Sequence, residues 1–383
     1  MSILLGPFYS LYEWFYPIAQ TETGTEATPP ARHLEPDDEF VIIPKLDLTE
    51  RERSVISSQL VCPDEIQFVK LLSSSFRDLT LKNELGSGQT SKVWLVTYLN
   101  NRDEHIDKAL RISRTDSLPP EHIRRCYEWN EDHMGYEWNA LLDYDSPNVL
   151  KTEKVIAWNE ARNGFSVLSM LDVMALFHDR TRLRGTKYTL YATLSEYLPR
   201  VETLQDRIKS NPHFTLAEIQ SLARQIFRGL VAIQRVHPNL MHRDIKPANM
   251  LLCDGILKIC DFGYSKIVDL SQSIVGSPLY MAPEIFIGET YNNKADIYSV
   301  FAILFQMATQ SVPSAAQNQY ELFREIELRL AENKEISADP SLDKLDPDLK
   351  DLIARTGKLN PNDRPSAAEA LNHPFFTRVF PEE

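Results

Sequence analysis

The stretch His242-Arg243-Asp244-Ile245-Lys246-Pro247-Ala248-Asn249 sets an acid, a base and an amide within six residues of one another. Seventeen residues after Asp244 comes Asp261-Phe262-Gly263. A lone Asp-Phe-Gly carries no information. Both stretches together, in this order and at this separation, gather two carboxylates, an ammonium and an amide in a segment framed by apolar residues such as Leu240, Met250, Leu257 and Ile259. Carboxylate and amide oxygens suit a hard divalent cation.

Read together, the two motifs resemble the catalytic and metal-binding segments of the eukaryotic protein kinases, and specifically of the serine/threonine class. That resemblance implies roles for each residue. Asp244 orients a substrate hydroxyl and accepts its proton, and Lys246 touches the γ-phosphate of ATP. Asn249 and Asp261 hold the Mg2+ ions that bridge the phosphates. Lys246 stands where tyrosine kinases carry a run of Ala and Arg, which is the sign of the Ser/Thr class. The implied fold is α+β and bilobal, with a strand-rich N-lobe and a helical C-lobe.

Upstream, Gly86-Ser87-Gly88-Gln89-Thr90-Ser91-Lys92-Val93 is similar to the family's Gly-rich loop, with Ser91 as its third glycine. Small residues there let backbone N–H groups approach phosphates. By the same resemblance Val93 and Ala109 cover the adenine from above and Leu251 from below, while backbone groups near Glu196 and Leu198 bond its edge. The family's third-strand lysine is replaced. Lys108-Ala109-Leu110-Arg111 overlays the Val-Ala-Ile-Lys pattern and sets Arg111 in the cation position, with Glu137 as the helix acid expected to pair with it. Arginine is no neutral exchange, because its guanidinium is longer, planar and fixed in a fork, whereas lysine offers a compact point charge. Strand side chains alternate faces, so Lys108 faces away if Ala109 and Arg111 face the nucleotide. A shifted register, with Lys108 in the cation position and Ile106 above the adenine, stays open.

Downstream, Gly276-Ser277-Pro278-Leu279-Tyr280-Met281-Ala282-Pro283-Glu284 resembles the end of an activation segment. Ser277 offers a hydroxyl near Asp244. Glu284 is expected to pair with Arg364, and Asp296 to brace the catalytic loop backbone. Ser273 is where an activating phosphate usually falls in the family, paired with Arg243. Two helix signals stand out. Thr215 and Glu218 form a capping box ahead of Ile219, Leu222, Ile226, Leu230 and Ile233 on one face. The run Asp296 to Met307 is apolar on nearly every side, which predicts a central buried helix.

The 383 residues are 43% hydrophobic and 25% charged, a soluble globular profile. A net charge of −13 argues against nucleic-acid binding and against polybasic docking on membranes. Four cysteines without zinc-type spacing point to a reducing compartment. The expected location is the cytoplasm, with the nucleus open to it. A kinase-like domain is expected over 76–378, after an N-terminal extension over 1–75 that is partly disordered and carries short helices at 48–60 and 63–75. Residues 1–19 are rich in aromatics but contain Pro7, Glu13 and Pro17 and lack basic flanks. They fit neither a spanning helix nor a signal peptide, and leave docking on the domain, a membrane contact or a partner helix. Phe40-Val41-Ile42-Ile43 after Asp37-Asp38-Glu39 is similar to the motif in which Phe40 and Ile43 bind a ubiquitin-like modifier by strand addition. The reading as a strand of the chain's own domain stands beside it. Three functions therefore stand side by side: a Ser/Thr kinase acting on a protein substrate, a pseudokinase or scaffold impaired by Arg111, and an adaptor working through its tail.

Overall fold

A computed structural model describes residue 72 and residues 76–87, 91–113, 128–129, 144, 146–159, 164–169, 172–173, 187–262, 265–267, 277–335 and 339–380. Residues 1–19, Phe40, Ile43 and the helix expected over 48–60 lie outside the described residues, as do Gly88, Glu137 and Ser273. The described chain forms two compact units. One runs up to Glu202 and takes in Leu252–Ser265; the other comprises Thr203–Leu251 and the chain from Lys266 onward.

The first unit is built on an antiparallel sheet. Its strands are β1 (Arg77–Ser87), β2 (Ser91–Leu99), β3 (His105–Ser113), β4 (Glu128–Trp129), β5 (Thr152–Asn159), β6 (Gly164–Ser169) and β7 (Tyr188–Glu196). Their order is β1-β2-β3-β7-β5-β6, with β4 also paired to β7. Valine, threonine and aromatic residues in β2 and β7 suit a pleated, half-buried surface. The turn between β2 and β3 is closed by Asn100, whose side-chain oxygen accepts from the N–H groups of Arg102 and Glu104. That turn fixes the register, with Val93 opposite Arg111, Leu95 opposite Ala109 and Val96 opposite Lys108.

Period-two alternation then sorts the side chains. Val96, Tyr98, Leu110 and Ile112 go to one face and form a core with Tyr191, Leu194, Leu72 and Phe76. The rings of Phe76 and Tyr98 meet edge to face, with centroids 5.1 Å apart. Leu72 is 2% exposed, so the packed face of the sheet reaches upstream of residue 76. Val93, Ala109 and Arg111 share the opposite face.

A short β8 (Glu202–Thr203) leads into the second unit. This unit holds α1 (Leu204–Ser210), α2 (Leu216–Val236), β9 (Leu240–Met241), α3 (Pro283–Phe286), α4 (Lys294–Thr309), α5 (Gln319–Ala331), α6 (Pro347–Thr356) and α7 (Ala367–Ala370). Strands β10 (Met250–Cys253) and β11 (Ile256–Ile259) follow the stretch from His242 to Asn249, and β12 (Lys266–Ile267) pairs with β9. The capping box read from Thr215 and Glu218 is in place at the start of α2. α4 is the central helix, with every residue from Ala295 to Met307 buried. Helix α6 is capped by Gly357, where Phe301 of α4 leaves no room for a side chain: a Cβ there would stand 2.6 Å from the ring. Strands first and helices after give an α+β fold. No helix among the described residues is long and apolar enough to cross a membrane.

Candidate active site

In the helical unit the quoted stretch folds back on Asp244. Backbone N–H groups of His242 and Arg243 donate to the two carboxylate oxygens of Asp296, each at 2.8 Å. Asp296 sits in the first turn of α4, so the central helix sets the position of the loop. Burial pushes the Asp296 carboxyl above the usual range, and the nearby His242 and Arg243 partly offset that push. Arg243 adopts φ 68°, a left-handed backbone that costs free energy in a side-chain-bearing residue and concentrates at functional sites. The turn it makes aims Asp244 inward.

Asp244 is the hub of a buried cluster. Its Oδ1 accepts from the Ser277 hydroxyl at 3.0 Å, and its Oδ2 from the Asn249 amide at 2.8 Å. Lys246 Nζ lies 3.1 Å from Oδ2 and donates to Ser277 Oγ at 2.9 Å. The Lys246 and Asp244 side chains are 3% and 2% exposed. A buried carboxylate is tolerable only with such partners. A carboxylate can only accept, so the Asn249 nitrogen faces it and the amide oxygen is directed away from Asp244. Ser277 closes the cluster from 33 residues further along the chain.

In the sheet unit, Arg111 projects from β3 on the face it shares with Val93 and Ala109. Its Nε donates to Ser91 Oγ at 3.1 Å, and its Nη2 lies 4.0 Å from Asp261 Oδ1. Asp261 also has a left-handed backbone, φ 63°. The Phe262 ring after it is buried and stacks on Tyr144, centroids 5.1 Å apart; burial raises the Tyr144 phenol well above its ordinary value. Lys108, the cation of the shifted register, is on the other face and pairs with Glu153. At the end of β7, the Glu196 side chain accepts from Lys151 N at 2.8 Å and pairs with Lys258 Nζ at 2.9 Å, while its own N–H donates to Lys151 O. Leu198 is half-buried two residues on.

Gly86 pairs with Val93 near the end of β1. A Cβ built there meets nothing within 4 Å, and its φ is not left-handed. Packing and backbone thus leave the glycine unexplained, and the space over it suits an approaching ligand. Asn249 and Asp261 offer hard oxygen atoms of the kind magnesium takes; that ion uses one or two carboxylates plus phosphate oxygens rather than an all-protein cage. Among the described residues no cluster of three or more His, Cys, Asp or Glu residues could hold a metal ion on its own.

The sequence places Asp244, Lys246 and Asn249 together, and the fold does bring them together. Val93, Ala109 and Arg111 share a face as read from alternation. Leu251 lies on β10. The Ser91–Arg111 bond and the Arg111–Asp261 pair are not readable from the sequence motifs. The short turn after β2 is the available signal, since it puts Ser91 diagonally across from Arg111.

The protein kinase domain family matches residues 79–376, well over half of the 383-residue chain. Over 310 residues the chain is 28% identical to the serine/threonine-protein kinase ATG1a of Arabidopsis thaliana, covering 78% of this chain and 42% of that one. It is 33% identical over 204 residues to the serine/threonine-protein kinase unc-51 of Caenorhabditis elegans, covering 48% and 21%. It is 32% identical over 183 residues to mitogen-activated protein kinase kinase 2 of Arabidopsis thaliana, covering 46% and 50%. The chain spans half or less of the length of these relatives. Both side-chain clusters fall inside the matched residues, and on that match the chain belongs to the protein kinase domain family.

Proposed function

We propose that this chain is a protein serine/threonine kinase that transfers the γ-phosphoryl group of Mg-ATP to a serine or threonine hydroxyl of a protein substrate. The observation that supports this most is the Asp244 cluster. Phosphoryl transfer asks a protein for positioning and charge stabilisation more than for covalent chemistry. Asp244 is a carboxylate fixed by Ser277 and Asn249 and neutralised by Lys246. In this role it orients the substrate hydroxyl and takes up its proton. Lys246, tied to the same carboxylate, carries positive charge for the γ-phosphoryl group in flight.

Asn249 and Asp261 are the oxygen ligands for Mg2+, which when bound supplies Lewis-acid neutralisation of the phosphates. Arg111 faces the nucleotide from β3 and carries the charge for the α- and β-phosphates. Gly86, Ser87, Gly88 and Ser91 form the turn over them, and Val93, Ala109 and Leu251 frame the adenine. With the Glu196 N–H committed to Lys151, bonds to the adenine edge fall to the Glu196 carbonyl and to Leu198. The compartment we assign is the cytoplasm, with the nucleus open to it.

The pseudokinase reading draws on one feature, the guanidinium at 111. One assay separates the two. Purified chain is incubated with radiolabelled Mg-ATP and a general protein substrate, and phosphoserine and phosphothreonine are quantified. The wild type is expected to label the substrate, and Asp244→Asn to lose at least about a hundredfold, the usual worth of a positioned base. Equal background from both proteins ends the enzyme reading.

A further inference from the structure

This chain departs from the protein kinase pattern at two neighbouring points, and the two touch. Ser91 stands for the third loop glycine and Arg111 for the third-strand lysine, and Arg111 Nε donates to Ser91 Oγ at 3.1 Å. Neither change alone makes this bond. Lysine has no donor partway along its stem, and glycine has no acceptor. The register explains the meeting: Ser91 pairs with Ser113 and Val93 with Arg111, so Ser91 is the diagonal neighbour of Arg111 on one face. Ser91 is 9% exposed, which gives its hydroxyl a defined place.

The contact is at the inner edge of the guanidinium. Because that group is planar, holding Nε fixes the direction of both Nη atoms. Nη2 is thereby directed to Asp261, 4.0 Å away.

We propose that Ser91 is a positioning residue for Arg111, and that the two act as one unit in place of the family's glycine and lysine. The hydroxyl draws the longer side chain back along the sheet. The charge then stops short of the space for the α- and β-phosphates and faces both them and Asp261. This rests on the phosphotransfer reading above.

A double-mutant cycle in the full chain tests it. The proteins are wild type, Ser91→Ala, Ser91→Thr, Arg111→Lys and Ser91→Ala/Arg111→Lys. The readouts are the Kd for a fluorescent N-methylanthraniloyl-ATP with magnesium, the KM for ATP against kcat, and the thermal midpoint. Ser91→Ala is expected to raise Kd and KM about five- to tenfold, what one partly exposed hydrogen bond to a charged group contributes, with kcat little changed. Ser91→Thr restores both to within about twofold. In the Arg111→Lys background the same Ser91→Ala change moves Kd by less than about twofold, because the partner is gone. Equal weakening in both backgrounds, or failure of Ser91→Thr to restore binding at an unchanged thermal midpoint, overturns the role given to Ser91 while leaving the kinase reading intact. A wild type that binds no magnesium nucleotide overturns the kinase reading itself, and this inference with it.

Discussion

Ser277 shows how much one hydroxyl carries at the residue scale. It accepts from Lys246 and donates to Asp244, at 2.9 and 3.0 Å. Without it a buried ammonium and a buried carboxylate each lose a partner, and hydrogen bonds to charged groups are worth about 1.5–3 kcal/mol. Ser277→Ala is therefore expected to lower kcat by about tenfold or more, and Ser277→Thr to keep most of it; steady-state kinetics on both variants decides. Asp244, Lys246 and Asn249 are legible in the sequence because their roles are tied to a contiguous motif. The partners of Arg111 are not. Motif spacing points to Glu137, which lies outside the described residues, whereas the described partners are Ser91 and Asp261. Such neighbours depend on strand register and on where Asp261 returns to the sheet, neither of which a linear pattern states.

At the scale of elements, the face of the sheet opposite Arg111 is closed by residues that precede the family match. Leu72 and Phe76 are 2% and 4% exposed within the core of Val96, Tyr98, Leu110 and Ile112. Phe76→Ala is expected to cost about 3–5 kcal/mol, the usual range for removing a buried phenylalanine, seen as a lower urea midpoint. An unchanged midpoint would mean that the stretch before β1 contributes nothing to the sheet. Helix α2 offers a pH test. Burial pushes the Glu218 carboxyl up, but the N–H of Thr215 and the Arg207 guanidinium outweigh it and hold the pKa below its ordinary value. A depressed carboxylate stabilises the fold above its unfolded pKa, about 4.3, and that contribution is lost as pH falls through the lower folded value. Glu218→Gln should thus flatten the acid limb of stability against pH and lower stability near neutrality, measured by thermal melts from pH 7 to 3. Alternation along β2 and β3 and the capping box of α2 are readable because local chemistry determines them. The closing of the sheet face by Leu72 is not, since a helical spacing in a sequence does not reveal what an apolar residue packs against.

For the molecule as a whole, distant segments are tied by a few buried charges. Arg364 makes two bonds to Glu284, at 2.7 and 2.8 Å across 80 residues of sequence, and donates further to the carbonyls of Lys358, Leu359 and Lys294. Both side chains are almost fully enclosed, so removing one strands the other. Glu284→Ala is expected to cost about 3–5 kcal/mol, read as a fall in the unfolding midpoint; a loss under about 1 kcal/mol would put the pair in the class of surface bridges. The α+β class and the two-part order are visible in the sequence as strands followed by helices, and the Glu284–Arg364 pair is visible only through the family resemblance. The central claim is the proposed chemistry, in which Asn249 and Asp261, twelve residues apart in sequence, are each magnesium ligands. Titration calorimetry with ATP tests it most directly, with and without magnesium, on the wild type and on Asn249→Ala and Asp261→Asn. The wild type should bind ATP at least about tenfold more tightly with magnesium, a difference of about 1.4 kcal/mol, and each variant should lose that dependence. No binding heat with magnesium present, or a magnesium effect that survives both substitutions, would contradict it.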